Sequence, residues 1–189
     1  MRVIGGELRG RKLASIRGRE IRPTADRVRE ALFNILGSRT VDAHVLDLFA
    51  GTGALGIEAL SRGAKLAVFV EHAAPALQVI QKNILSCRLA SRAKVVRLDV
   101  RHNLSSLLSY RRIFDLIFID PPYRRDMIGT TLVQLAQSDL PSADGLIVVE
   151  HDPAEIVDPP PAFDIIDQRR YGQTQLTFLT LKKTVLNGH

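Results

Sequence analysis

The chain has 189 residues, 46% hydrophobic and 24% charged, with a formal net charge of +6 at pH 7. That length and mixture suit one soluble domain with a core large enough to stand without disulfides or metals. Cys87 has no second cysteine to pair with, no Cys/His cluster suggests zinc, and no apolar stretch approaches the ~18 residues of a membrane helix. Residues 1–6 lack a signal-peptide apolar region. A cytoplasmic, reduced, metal-free monomer is the expectation.

The charge is unevenly spread. Residues 1–29 hold nine cations, Arg2, Arg9, Arg11, Lys12, Arg17, Arg19, Arg22, Arg27 and Arg29, against Glu7, Glu20 and Asp26. That segment carries a net +6, so the remaining 160 residues are neutral overall. Basic excess confined to one end points to a localised polyanion contact. Eight of the nine cations are Arg, which favours bidentate phosphate contacts and stacking on bases.

The glycines at 5, 6, 10 and 18, with the pair Val3-Ile4, predict a short hairpin or extended arm. A helix follows Arg22-Pro23-Thr24, with Thr24 as its N-cap and Asp26 in its first turn. Val28, Ala31, Leu32, Ile35 and Leu36 form its apolar stripe, and Gly37 is placed to end it. From about residue 41 strands and helices alternate. Strands are expected over Val45 to Phe49, Lys65 to Glu71, Lys94 to Asp99, Phe114 to Asp120 and Leu146 to Glu150. Helices are expected over Ala54 to Arg62, Pro75 to Leu89, His102 to Tyr110 and Met127 to Ser138. The alternation then fails at Pro159-Pro160-Pro161, and the β-rich segments Phe163 to Arg170 and Gln175 to Lys182 follow directly. Repeated βα units imply an α/β fold, a mostly parallel doubly wound sheet. The two closing strands imply an antiparallel terminal strand. The chain therefore divides into a basic hairpin and helix over 1–40, a Rossmann-like core over 41–183 and a tail over 184–189. The proline-rich segment 151–162 has no assigned role.

The glycines of Asp47-Leu48-Phe49-Ala50-Gly51-Thr52-Gly53-Ala54-Leu55-Gly56 stand at the first strand-to-helix turn and allow a ligand close to the backbone. Asp47, four residues before Gly51, would repel a pyrophosphate but hold an ammonium group. S-adenosylmethionine supplies such a group. Glu71 ends the second strand, where a ribose-binding acid belongs, and Asp99 ends the third, within reach of an adenine amine. Ligands of open α/β sheets bind at this carboxyl edge. Asp120-Pro121-Pro122-Tyr123 closes the fourth strand at the same edge. Its prolines cannot donate hydrogen bonds, so the corner is stiff and rich in acceptors. Asp120 and the prolyl carbonyls suit a planar amine and Tyr123 its ring. His72, His102 and His151 read as caps or strand-end residues, not catalytic bases.

The stretch Asp47 to Ala64 with Asp120-Pro121-Pro122-Tyr123 resembles the bacterial 16S ribosomal RNA guanine-N2 methyltransferases. Met1 to Gly6, Gly10 to Leu13, Arg22-Pro23-Thr24, Arg27 to Asn34 and Tyr171-Gly172 fit the same family. The resemblance implies a class I S-adenosylmethionine methyltransferase acting on a guanine exocyclic amine in 16S RNA or the assembled small subunit. It implies cofactor contacts from Asp47, Ala50, Gly51, Thr52, Gly53, Glu71, Asp99 and Val100. It implies a target-base site of Asp120, Pro121, Pro122 and Tyr123, and RNA contacts from Arg9, Arg11, Lys12, Arg22 and Arg27. Three other readings compete. An adenine-N6 DNA methyltransferase uses the same corner but usually carries a separate target-recognition region. An amide methyltransferase tends to begin the tetrapeptide with Asn. A non-enzymatic RNA-binding module would be expected to have lost one of Gly51, Gly53, Glu71 or Asp120.

Overall fold

The computed structural model describes residues 1–16, 23–101, 104, 106–107, 113–122 and 127–183. The first helix is α1 (Pro23–Leu36), followed by a 3-10 turn over Gly37–Thr40. Then come β1 (His44–Leu48), α2 (Ala54–Ser61), β2 (Leu66–Glu71), α3 (Ala74–Ser86), β3 (Ala93–Arg97) and β4 (Phe114–Ile119). The chain closes with α4 (Met127–Ala136), β5 (Pro141–His151), β6 (Phe163–Tyr171) and β7 (Thr174–Leu181).

The strands form one seven-stranded sheet in the order β3-β2-β1-β4-β5-β7-β6. Strands β1 to β5 pair in parallel, while β7 runs antiparallel to both β5 and β6. This is the doubly wound sheet with an antiparallel terminal strand that the sequence pattern implies. Between β5 and β6 the proline-rich stretch holds no helix, so β6 and β7 join as a hairpin. Its turn places Gly172 at φ 63°, the left-handed region that suits glycine. The strand order reverses direction between β1 and β4, which makes their carboxyl ends the switch point of the sheet.

Two details depart from the sequence pattern. Helix α1 begins at Pro23, so Thr24 is its second residue and not its N-cap. Proline needs no N–H partner in the first turn and presets a helical φ. The cap position, Arg22, lies outside the described residues, as does most of the expected helix over His102 to Tyr110. Strand β5 starts five residues earlier than the apolar run suggests, at Pro141, whose pairing with Phe114 is separated from the main ladder by a register shift.

Both faces of the sheet are covered, and alternation along each strand decides which side chain goes where. On one face Val45, Phe69, Leu116, Phe118 and Val148 pack with Val28, Leu32, Phe33 and Leu36 of α1, and with Ile57 and Leu60 of α2. On the other Leu46, Val70, Ile117, Ile119 and Ile147 pack with Ile128, Leu132 and Leu135 of α4. Phe33 lies 5.8 Å from Phe118 in a tilted ring pair, and the Arg62 guanidinium stands 5.2 Å over the Phe33 ring. Helix α1 is thereby seated on β4, next to the switch point.

The basic N-terminal segment is a hairpin packed on this core. Val3 and Gly10 make backbone bonds across the hairpin, and Arg2 bridges Lys12 in antiparallel fashion. Val3 and Leu13 are buried with the α1 and α2 side chains. The hairpin is anchored by Glu58 of α2, which is 1% exposed and accepts from the backbone N–H groups of Ile4 and Gly5, each at 2.8 Å. The same carboxylate takes Arg62 Nε at 2.8 Å and faces Arg29 Nε at 3.8 Å. Nearby, Gly6 at φ 74° presses on Ser61, whose carbonyl oxygen would lie 1.8 Å from an added Cβ.

Removing a buried carboxylate leaves two arginines and two backbone donors without their acceptor. The variant Glu58→Ala is expected to lose about 3–5 kcal/mol of stability. Urea unfolding measures it, and a loss below about 1 kcal/mol would show that the hairpin is held by its apolar contacts instead.

Candidate functional site

The turn after β1 supplies the first wall of the site. Phe49, Gly51 and Gly53 adopt positive φ values of 61°, 57° and 77°, so the chain doubles back before α2 begins. Ala50 donates to Val70 O at 3.0 Å and Gly53 to Ala50 O at 2.7 Å, which closes the turn against β2. Gly56 is required for a different reason. A Cβ there would lie 2.3 Å from Phe69 Cε1, so only glycine lets α2 approach the sheet this closely.

Acids hold the turn from below. Asp47 Oδ2 accepts from Gly56 N at 3.0 Å, and Glu71 Oε2 accepts from Gly51 N at 3.0 Å. The other Glu71 oxygen takes the N–H groups of His72 at 2.8 Å and Ala73 at 2.9 Å, at the entry to α3. Asn83 of α3 donates to the Thr52 carbonyl at 2.9 Å and accepts from Ala14 N at 2.7 Å, tying the turn to the hairpin's exit.

Strand alternation brings further acids to the same place. Asp47 shares the face of Val45, and Glu71 that of Phe69; Asp120 follows Phe118 by two residues and Glu150 follows Val148 by two. All four line a cavity of about 1060 Å³. Ala50, Gly51, Thr52, Pro121 and Pro122 line it too. Asp26 and Arg29 of α1 close the side facing the N-terminal segment, together with Ser15 and Ile16.

So many acids gathered in a partly buried place shift protons. Asp47 is pushed up from its ordinary 3.8 to about 7, first by burial, then by the charges of Asp120 and Glu71, against the opposing Gly56 hydrogen bond. Glu150 is pushed up to about 8 by burial and by Asp120, with Arg29 pulling the other way. Such a cavity favours a ligand that carries positive charge.

The residues singled out from sequence fall into three groups. Asp47, Ala50, Gly51, Thr52, Glu71, Asp120, Pro121 and Pro122 meet around the cavity, with Gly53 at the N-cap of α2 beside it. Asp99 and Val100 follow β3 but do not line the cavity. Asp99 accepts from Arg101 through the backbone N–H at 3.0 Å and Nη2 at 2.6 Å, and Arg101 is the one that faces the cavity. Val100 is buried and its carbonyl accepts from Gln134 Nε2 at 2.9 Å. Arg9, Arg11 and Lys12 are exposed on the hairpin and Arg27 on α1, while Arg11 also donates to the Ser86 carbonyl. Tyr123 and Arg22 lie outside the described residues. Sequence reasoning passed over Glu150, although an acid at a strand's carboxyl end is the signal that marked Glu71 and Asp120. It also passed over Arg29, which the apolar stripe of α1 disguised as a surface cation. Among the described residues no group of acids, histidines and cysteine has the makings of a metal site, and no helix is long and apolar enough to cross a membrane.

A family model described as "Conserved hypothetical protein 95" matches residues 1–180. The chain belongs to that family. Its relatives include ribosomal RNA small subunit methyltransferase D of Escherichia coli, 41% identical over 80% of this chain and 75% of the relative. The protein of the same name from Haemophilus influenzae is 33% identical over 91% of this chain and 89% of its own length. Among solved structures, yhhF of Escherichia coli superposes with a TM-score of 0.83 at 33% identity, covering 96% of this chain and 98% of that one. SMU.776, solved as a complex with SAH, shares the fold at 19% identity and a TM-score of 0.66, covering 85% of this chain and 50% of its own. The fold is that of the class I methyltransferases.

The shifted acids of this family member make its stability pH-dependent. Folded, Asp47 and Glu150 keep their protons to about 7 and about 8; unfolded, they release them near their ordinary values. The native state therefore binds more protons over that interval, and the ligand-free protein is expected to lose stability as pH rises through it. Thermal unfolding from pH 4.5 to 8.5 checks this, and Asp47→Asn is expected to flatten the decline. A rise in stability with pH would show both acids to be ionised in the fold.

Proposed function

We propose that this protein uses S-adenosylmethionine to methylate the exocyclic N2 amine of a guanine in 16S ribosomal RNA of the small ribosomal subunit. One observation carries the reading: the glycine turn with its acids and the Asp120-Pro121-Pro122 corner open on the same cavity. The names of the Escherichia coli and Haemophilus influenzae relatives support the RNA substrate. The chemistry of the lining supports the cofactor, since Asp47 can hold an ammonium group and Glu71, with three backbone donors on its oxygens, keeps acceptor capacity for a ribose hydroxyl. When bound, S-adenosylmethionine supplies an electrophilic methyl group on a sulfonium.

The remaining work falls to residues of the chain. A guanine amine is a weak nucleophile because its lone pair is delocalised into the ring. Asp120 and the Pro121 carbonyl accept its two hydrogens from one side, which favours a pyramidal nitrogen with its lone pair turned toward the methyl group. Positioning and electrostatics then supply most of the rate enhancement. The bound cofactor would supply the methyl group, and the extra proton on the methylated nitrogen leaves to Asp120 or to water. The base has to leave its stack to reach the cavity. Tyr123 is the ring next in sequence on which it would stack, a contact worth about 1–3 kcal/mol. Arg9, Arg11, Lys12 and Arg27 hold the RNA backbone.

Methyl transfer from labelled S-adenosylmethionine, with small subunits, free 16S RNA and DNA offered in parallel, tests the assignment. N2-methylguanine on ribosomal RNA is expected, and Asp120→Ala is expected to lower the rate by at least about 100-fold. N6-methyladenine on DNA would keep the cofactor and overturn the substrate. A second measurement addresses the cations. Changing Arg9, Arg11 and Lys12 together to Ala is expected to weaken RNA binding about tenfold or more and to flatten its salt dependence. Cofactor affinity stays level; an equal loss would make the hairpin a structural element only.

A further inference from the structure

Glu150 has no place in the chemistry described so far. It stands near the end of β5, one residue past the last β4–β5 pair, Ile119 with Val149, as Asp120 stands one residue past Ile119, and the two carboxyl groups interact electrostatically. Both residues continue the pleat on the α1 side of the sheet, and both line the cavity. Glu150 is half-buried, and a carboxyl group is costly to place there unless it has a task or a partner. On this face β5 reads Leu146, Val148 and then Glu150. A third apolar residue would fill the space at no such cost.

We propose that Glu150 is a base-reading residue, pairing with the N1–H and O6 edge of the target guanine while Asp120 holds its N2 amine. This rests on the guanine-N2 assignment above. Adjacent parallel strands lie about 4.8 Å apart, comparable with the width of the Watson–Crick edge of a purine, so two neighbouring carboxyl groups can address that edge side by side. The charged groups facing Glu150 are Asp120 from β4 and Arg29 from α1, with Asp47 of β1 on the same cavity wall and the apolar Leu176 paired beside it on β7. Ionising Glu150 next to Asp120 is unfavourable, and Arg29 offsets this only in part, because it is shared with Asp26 and Glu58. Near neutral pH Glu150 therefore keeps its proton. Asp120 acts as acceptor alone, and the Glu150 carboxylic acid acts as acceptor through its carbonyl oxygen and donor through its hydroxyl. Guanine matches this pattern: N2–H to Asp120, N1–H to the Glu150 carbonyl, and O6 from the Glu150 hydroxyl. Adenine offering its amine to Asp120 presents an unprotonated N1 and a C–H, and makes one bond fewer. A polar site built for a given pattern discriminates strongly against a base lacking it.

The test compares wild type, Glu150→Gln and Glu150→Ala on small ribosomal subunits, from pH 6 to 9.5, with the methylated nucleoside identified and S-adenosylmethionine affinity measured separately. Wild type is expected to form N2-methylguanine and to lose rate above about pH 8, as Glu150 ionises. Glu150→Ala is expected to fall roughly 30-fold or more at pH 7. Glu150→Gln, whose carboxamide offers the same donor and acceptor, is expected to fall only several-fold and to lose the alkaline decline. Cofactor affinity within about twofold of wild type in both shows that the folded cavity is intact. N2-methylguanine formed by all three at equal rates would overturn the role of Glu150 and leave the guanine assignment standing. So would a rate that rises through pH 8 with Glu150→Gln the weaker variant, because Glu150 would then act ionised. A product other than N2-methylguanine from wild type would overturn both readings.

Discussion

Side chains in a strand alternate between faces, and in this sheet the alternation sends Asp47, Glu71, Asp120 and Glu150 to the α1 side at the carboxyl edge. Four carboxylates cannot all ionise in a confined cavity without a counter-charge. Two responses are visible. Glu71 accepts from the backbone donors of Gly51, His72 and Ala73, which fixes the glycine turn and the start of α3. Asp47 and Glu150 instead retain their protons to unusually high pH. The cavity is thus poised to take a cation, and the repulsion among its acids is relieved when one binds.

The second element of the design is the tether between the basic hairpin and the core. Glu58 lies within α2, one turn beyond the glycine loop, and gathers two hairpin N–H groups, Arg62 and Arg29 around one buried carboxylate. Arg29 also donates to the Arg2 carbonyl and to Asp26, and it faces the cavity. The segment that carries the exposed Arg9, Arg11 and Lys12 is therefore joined by a few charged contacts to the wall of the site. On the proposed function, an RNA bound by the hairpin would lie at a set distance from Asp120, as an enzyme that extrudes a single base requires.

Much of this was legible in the sequence because it depends on short-range rules. Apolar runs of five or six residues bounded by Gly and Pro marked β1, β2 and β4, and the helices between them implied parallel pairing. Gly51, Gly53 and Gly56 signalled a turn in which backbone must approach other groups closely. Acids at strand ends signalled the binding edge, since a strand's direction fixes which end of a parallel sheet carries ligands. The failure of alternation after β5 announced the antiparallel hairpin. Prolines 121 and 122 marked a rigid acceptor corner, because a proline lacks a donor wherever it is placed.

Other features needed the tertiary structure. Glu58 carries no signal of its own within α2, and only the docking of a segment more than 50 residues away makes it the anchor of the hairpin. Arg29 read as part of a basic run until α1 was seen to turn it inward. Asp99 read as a cavity acid, but its side chain is taken by Arg101 and the arginine faces the cavity in its stead. Glu150 came beside Asp120 through the register of β4 and β5, which no local pattern encodes. The sequence by itself determined the elements, their direction and the chemistry available at the sheet's edge, because these follow from spacing and backbone preference. Which charges share a wall, and which of them keep their protons, was decided by packing, since burial and distance between charges exist only once the strands are in register.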